Sequence, residues 1–189
     1  IVGGSSAAER RTLFNDFINE RLFGPLGMNS ATAKFDSAGN FVGSSYVYAR
    51  AFDFARFGRM YVNETEMLPA RWVDLAKTPI STDPETGFGY AHHWWTWPAL
   101  PGALVATGFE GQYTIVVPED DLVVVRLGKT PAEIRTNVVE DLVALELLHV
   151  GALARHGDDQ PLLAQGDERL TQGLITAAVG DVPLARGHN

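Results

Sequence analysis

Two apolar runs, Tyr113-Thr114-Ile115-Val116-Val117 and Leu122-Val123-Val124-Val125-Arg126-Leu127, are separated only by Pro118-Glu119-Asp120-Asp121. An apolar run, an acidic turn and a second apolar run are the arithmetic of a β-hairpin. Both runs are nearly continuous in hydrophobicity instead of alternating with polar residues, so both faces of the pair must be covered. The rest of the chain therefore has to supply layers above and below a sheet. With 189 residues, 46% of them hydrophobic and 20% charged, there is enough apolar material to do so.

Around that hairpin the pattern divides into helices and strands. Residues 11–23 place Phe14, Phe17, Ile18 and Leu22 at near-helical spacing, and Gly24-Pro25 should end the helix. Asp36-Ser37-Ala38-Gly39-Asn40 reads as a turn between short extended pieces. Phe54, Phe57 and Tyr61 form a second helical stripe with Arg56 and Arg59 facing away. A short third helix is expected after Pro69, around Trp72. Residues 88–97 are aromatic without helical period, which predicts a strand, and Val105 marks another. Thr130-Pro131-Ala132-Glu133 has the residues of a helix start, and Ile134, Val138, Leu142 and Leu145 supply a buried face beyond it. After Gly151 the chain turns polar, with Gly157-Asp158-Asp159 as a linker and a last helix around residues 170–179. This predicts a main domain over residues 1–150 and a partly helical or mobile extension over 151–189. The order of helices, strands and a long closing helix predicts an α+β fold with helices on a mostly antiparallel sheet.

Several function classes fall away on composition. There are 23 acidic and 15 basic side chains, a formal charge of -8, and no basic cluster, which disfavours nucleic-acid phosphates. No run approaches the roughly 18 uncharged apolar residues of a membrane-spanning helix. Zero cysteines exclude disulfides, thiolate metal sites and cysteine nucleophiles, and leave the compartment open. His92 and His93 are adjacent on the expected strand and should point to opposite faces; His149, His156 and His188 have no partners at ligand spacing. No metal or cofactor site is therefore expected. Glu119, Asp120 and Asp121 belong to a solvated turn. Asn63-Glu64-Thr65 is a glycosylation sequon of a kind common by chance. Trp94, Trp95 and Trp97, with Tyr90, read first as core, although one face could line a pocket.

Ala106-Thr107-Gly108-Phe109-Glu110-Gly111-Gln112 stands apart. It lies where a strand enters a hairpin, and its small residues would let a ligand approach the backbone. On the residues alone, a β-bulge and a binding edge fit equally well.

An ordered series of blocks adds a resemblance. Glu20-Arg21-Leu22-Phe23-Gly24-Pro25-Leu26-Gly27-Met28 is followed by Gly43-Ser44-Ser45-Tyr46-Val47-Tyr48-Ala49-Arg50 and Asp53-Phe54-Ala55-Arg56-Phe57-Gly58. Leu68-Pro69, Trp72-Val73, Gly108-Phe109-Glu110-Gly111-Gln112 and Val116-Val117-Pro118 complete it. Over roughly residues 13–129 this series resembles the serine β-lactamase and penicillin-binding-protein superfamily. It is closest in pattern to the class C-type branch of esterases, D-amino-acid peptidases and 6-aminohexanoate-dimer hydrolases.

The resemblance implies acyl-enzyme chemistry on an ester, amide or cyclic amide, using a Ser-x-x-Lys pair, a Tyr-x-Asn or Tyr-x-Ser element and a Lys/His-Thr-Gly element on the sheet edge. This chain has no Ser-x-x-Lys. Ala31, Asp74 and Arg126 stand three residues before its three lysines, Lys34, Lys77 and Lys129, and Ser30 misses Lys34 by one position. The nucleophile and tyrosine elements are thus expected upstream of Ile1, in a missing N-terminal part that is the chain's implied partner. Alone, the chain should be inactive, with an exposed sheet edge and half a cleft. Ala106-Thr107-Gly108 stands where the third element would be, without its cation. The resemblance makes the Phe109 backbone N–H an oxyanion-hole donor. It also makes Thr107, Gly108, Glu110, Gly111 and Gln112 a cleft edge, with Tyr46 and Trp94 as nearby substrate contacts. The alternative is a non-catalytic binding or scaffold domain of the same fold that uses the 94–97 face.

Overall fold

The computed structural model describes residues 3–62, 67–129 and the backbone of 174–178. The expected helix from Thr130, the linker at Gly157, the sequon at Asn63 and the three later histidines lie outside the described residues. The chain forms two compact units, one within Ile1–Phe57 and one within Gly58–Val182.

The first unit begins with α1, Ala7–Ile18, earlier than the apolar stripe suggested. Ser6 caps it by accepting from the Glu9 N–H at 3.2 Å, and the Glu9 carboxylate accepts from the N–H of Ser5 at 2.7 Å. These bonds satisfy donors that a helix start leaves open. Gly24-Pro25 does not end the helix. A π-helical turn, Asn19–Phe23, carries it into a short α2, Gly24–Leu26, and the left-handed Gly27 then stops it. Pro25 has no N–H and its ring would crowd a tight α-helical turn, so a wider turn relieves the conflict. Phe14 stacks on Phe41 at 4.5 Å and meets the edge of Phe35 at 5.8 Å. Phe35 and Phe41 bridge across the predicted turn, where Asp36 accepts from the Asn40 N–H at 2.7 Å. The two-stranded ribbon of β1, Thr32–Ala33, and β2, Val47–Tyr48, completes this unit with most of α3, Ala51–Arg59.

The second unit holds α4, Trp72–Lys77, the expected third helix, and a seven-stranded sheet. Its strands are β3, Ser81–Thr82; β4, Gly89–Tyr90; β5, Trp95–Trp97; β6, Leu100–Gly108; β7, Gln112–Val117; β8, Leu122–Arg126; and β9, Leu174–Ala178. They pair antiparallel in chain order, so the coarse α+β expectation holds. The predicted hairpin is β7–β8, with Val117 opposite Leu122 across a 3-10 turn at Pro118–Asp120 and a left-handed Asp121. Both faces of it are covered. Ala103, Val105, Ile115, Val117, Leu122 and Val124 bury one face with Trp97, and Leu104, Val116 and Val123 are fully buried on the other. Each such Val, Leu or Ile side chain contributes about 1.5–3 kcal/mol by leaving water. Gly58 of α3 packs on that second face so closely that a Cβ there would lie 2.6 Å from Val123 Cγ1.

Two further expectations are corrected. Residues 88–97 are two short strands, β4 and β5, joined by a tight turn in which Ala91 donates to the Trp94 carbonyl at 2.8 Å and His93 is left-handed. His92 and His93 therefore sit in a turn and not on a strand. The second correction concerns residues 170–179, where a strand, β9, replaces the expected helix. Leu174-Ile175-Thr176-Ala177-Ala178 can adopt either form, and pairing along all five residues of β8 decides it. The β8 edge is accordingly covered within this chain.

Candidate functional site: the loop between strands β6 and β7

The 106–112 segment is the end of β6, a three-residue loop and the start of β7. The last cross-strand pair is Gly108 with Gln112, leaving Phe109, Glu110 and Gly111 to make the reversal. Glu110 and Gly111 both have positive φ, 57° and 82°. Glycine adopts that conformation freely, whereas Glu110 pays a steric cost of about 1–2 kcal/mol. Gly108 is required by close approach, because a Cβ there would come 2.9 Å from Gln112 Cβ. The backbone here forms a tight three-residue hairpin loop between β6 and β7.

Side chains from β7, β8 and the segment after β8 tie the loop down. Gln112 Nε2 donates to the Phe109 carbonyl at 3.1 Å and to the Gly128 carbonyl, and its Oε1 accepts from the Gly128 N–H at 3.0 Å. Arg126 Nη1 donates to the Gly111 carbonyl. Lys129 Nζ lies 3.7 Å from Glu110 Oε1. The Phe109 side chain, in contrast, is 81% exposed. Pairing of β6 with β5 ends at Trp95 and Val105, so among the described residues no strand covers residues 106–108 on that side. Backbone donors and acceptors on such an edge are available to a ligand that lies along it.

The two other predicted contacts belong one to each unit. Trp94 occupies the β4–β5 turn of the same unit, but it is only 3% exposed and packs edge-on against Tyr61 at 4.8 Å. Its ring is core and presents almost no surface. Tyr46 belongs to the first unit, where it is 51% exposed with a left-handed φ of 65° and its carbonyl accepts from the Lys34 N–H at 2.9 Å. His92 Nδ1 is 3.1 Å from the Leu75 carbonyl, and its ring meets the edge of Trp72 at 5.7 Å. Among the described residues, no group of three or more His, Asp or Glu side chains is placed to hold a metal ion.

One polar network was not foreseen. Buried Asp53 accepts from the Ser30 N–H at 2.9 Å, from Ser30 Oγ at 2.5 Å and from Arg56 Nη1 at 2.7 Å, while Ser30 Oγ accepts from the Arg50 N–H at 2.9 Å. Burial pushes the Asp53 carboxyl up, but the Ser30 and Arg56 bonds outweigh it and hold it below the usual aspartate range. Ser30 Oγ thus donates to the ionised Asp53 carboxylate while its oxygen accepts from the Arg50 N–H. It ties the start of α3 to the turn around Ser30. The Asp53–Arg56 spacing of three on a helix was the only local signal, and Ser30 is too distant in sequence to be inferred.

No protein-family profile matches the chain, and no curated protein matches it. No described helix is long and apolar enough to cross a membrane.

Proposed function

We propose that this chain is the C-terminal portion of a β-lactamase-like serine hydrolase that cleaves an ester, amide or cyclic amide through an acyl-serine. The Ser-x-x-Lys and tyrosine elements then lie in polypeptide outside this chain. The observation that carries the reading is the backbone edge of residues 106–108, which no strand covers among the described residues, running into a loop held by three side chains at the place where the block series resembles a Thr-Gly element. In such a site the Phe109 N–H and the N–H of the nucleophile hold the developing oxyanion. A backbone donor tolerates side-chain replacement, which suits the exposed Phe109 ring. Ala106 in place of a cation removes a partner for a substrate carboxylate, which favours neutral esters and amides over β-lactam antibiotics.

The test is a pair of substitutions in the full-length protein. Phe109→Ala should change turnover little, whereas Phe109→Pro removes the N–H and should lower it by about 100-fold or more. A correctly folded Phe109→Pro protein with full activity would show that this strand does not border the reaction centre.

A further inference from the structure

We propose that Gln112 is the positioning residue of the oxyanion site, its side-chain amide fixing the loop of residues 109–111 so that the Phe109 N–H keeps one orientation. The inference rests on the reading of Phe109 given above. It starts from the amide's hydrogen-bond inventory. Gln112 has two N–H donors and one carbonyl, and all are engaged with backbone: Nε2 with the carbonyls of Phe109 and Gly128, Oε1 with the Gly128 N–H. The Gly128 N–H requires an acceptor and the two carbonyls require donors, so the network admits one orientation of the amide.

That arrangement makes the side chain a local substitute for strand pairing. The β7–β8 ladder ends at Tyr113 opposite Arg126, and beyond it the Gln112 amide takes both backbone groups of Gly128. Its second donor reaches across the loop to Phe109, three residues back. The Phe109 carbonyl belongs to the peptide plane that enters Glu110, the residue held at φ 57° against its steric preference. Without the Gln112 bond, that plane is free to rotate and Glu110 can relax, and rotation about Phe109 re-aims its N–H. Arg126 holds the Gly111 carbonyl independently, so the loop should persist as a hairpin while losing the aim of one donor. A donor that must meet charge present only in the transition state affects turnover when misaimed, and substrate binding much less.

Gln112→Glu and Gln112→Ala should be compared in the full-length protein with Phe109→Ala and Phe109→Pro, using hydrolysis of p-nitrophenyl butyrate. Gln112→Glu keeps the side-chain length and the acceptor for the Gly128 N–H but cannot donate to the carbonyls of Phe109 and Gly128, so it remains informative if Gln112→Ala fails to fold. The expected result is a kcat lowered about tenfold or more in each folded Gln112 variant with KM within about twofold. Faster amide hydrogen exchange at Glu110 and Gly111 should accompany it. If Phe109→Pro is inactive and the Gln112 variants keep wild-type kcat, the positioning role is overturned and the oxyanion reading stands. A parallel rise in KM with unchanged kcat would also overturn it. If Phe109→Pro is fully active, the oxyanion reading falls and the role of Gln112 falls with it.

Discussion

Asp53 brings together a buried carboxylate, a serine and two arginines of the first unit, and its energetics can be tested directly. Its folded pKa lies below the unfolded value of about 4, so its contribution to stability is present above that pH. As pH falls through the lower folded value, the carboxylate is protonated and the contribution is lost. Asp53→Asn should therefore flatten the acid side of a melting-temperature profile below about pH 4. Asp53→Ala, which leaves the Ser30 N–H and Arg56 without their acceptor, should cost about 2–3 kcal/mol in denaturant unfolding at neutral pH. At this scale the sequence was only partly legible. Ser30 could be excluded from a Ser-x-x-Lys pair by counting, but its bond to Asp53 spans 23 residues and follows from tertiary packing alone. The resemblance makes Trp94 a substrate contact, whereas the aromatic cluster around it reads first as core. The tight turn at His93 tucks its ring against Tyr61, and nothing in a run of tryptophans says which of them turns inward.

Elements were legible where one force dominated. The β7–β8 hairpin announced itself because two apolar runs flanked a proline and three acids. Helix α4 followed its proline for the same kind of reason. Competing forces hid the rest: Pro25 stretched the first helix into a π turn, and a non-glycine residue at positive φ divided the aromatic strand in two. The start of α1 could have been found from Ser6-Ala7-Ala8-Glu9, whose spacing is that of a capping box. Gly58 offers a contest at this scale. Glycine inside a helix costs about 1 kcal/mol relative to alanine, so Gly58→Ala should stabilise α3 by propensity. The new methyl would sit 2.6 Å from Val123 Cγ1 and 3.1 Å from Val116 Cγ2, against stiff branched side chains in fully buried strands. Overpacking of that kind costs about 1–3 kcal/mol, so the net change in thermal unfolding should be a loss of stability.

For the molecule as a whole, the α+β class was readable from the order of periodic segments, because helix and strand periods alternate blockwise along the chain. The Phe57–Gly58 division between the two units was not, since it falls inside a continuous helix. On the hydrolase reading, this chain by itself should neither cleave p-nitrophenyl esters nor take up a fluorophosphonate probe; covalent labelling of any serine within residues 1–189 would sink that reading. Strand β9 is the last of the sheet to find its neighbour. Strands β3 to β8 meet their neighbours after short turns, so most of the sheet can zip locally. The partner of β8, in contrast, arrives only after residues 127–173 have been traversed. Closing that interval is the high-contact-order step and should be the slow one. Until it happens, Leu122–Arg126 waits as an apolar edge that a second copy can occupy. Refolding yield should therefore fall as protein concentration rises, and deletion from Leu174 onward should make the soluble fraction fall at every concentration.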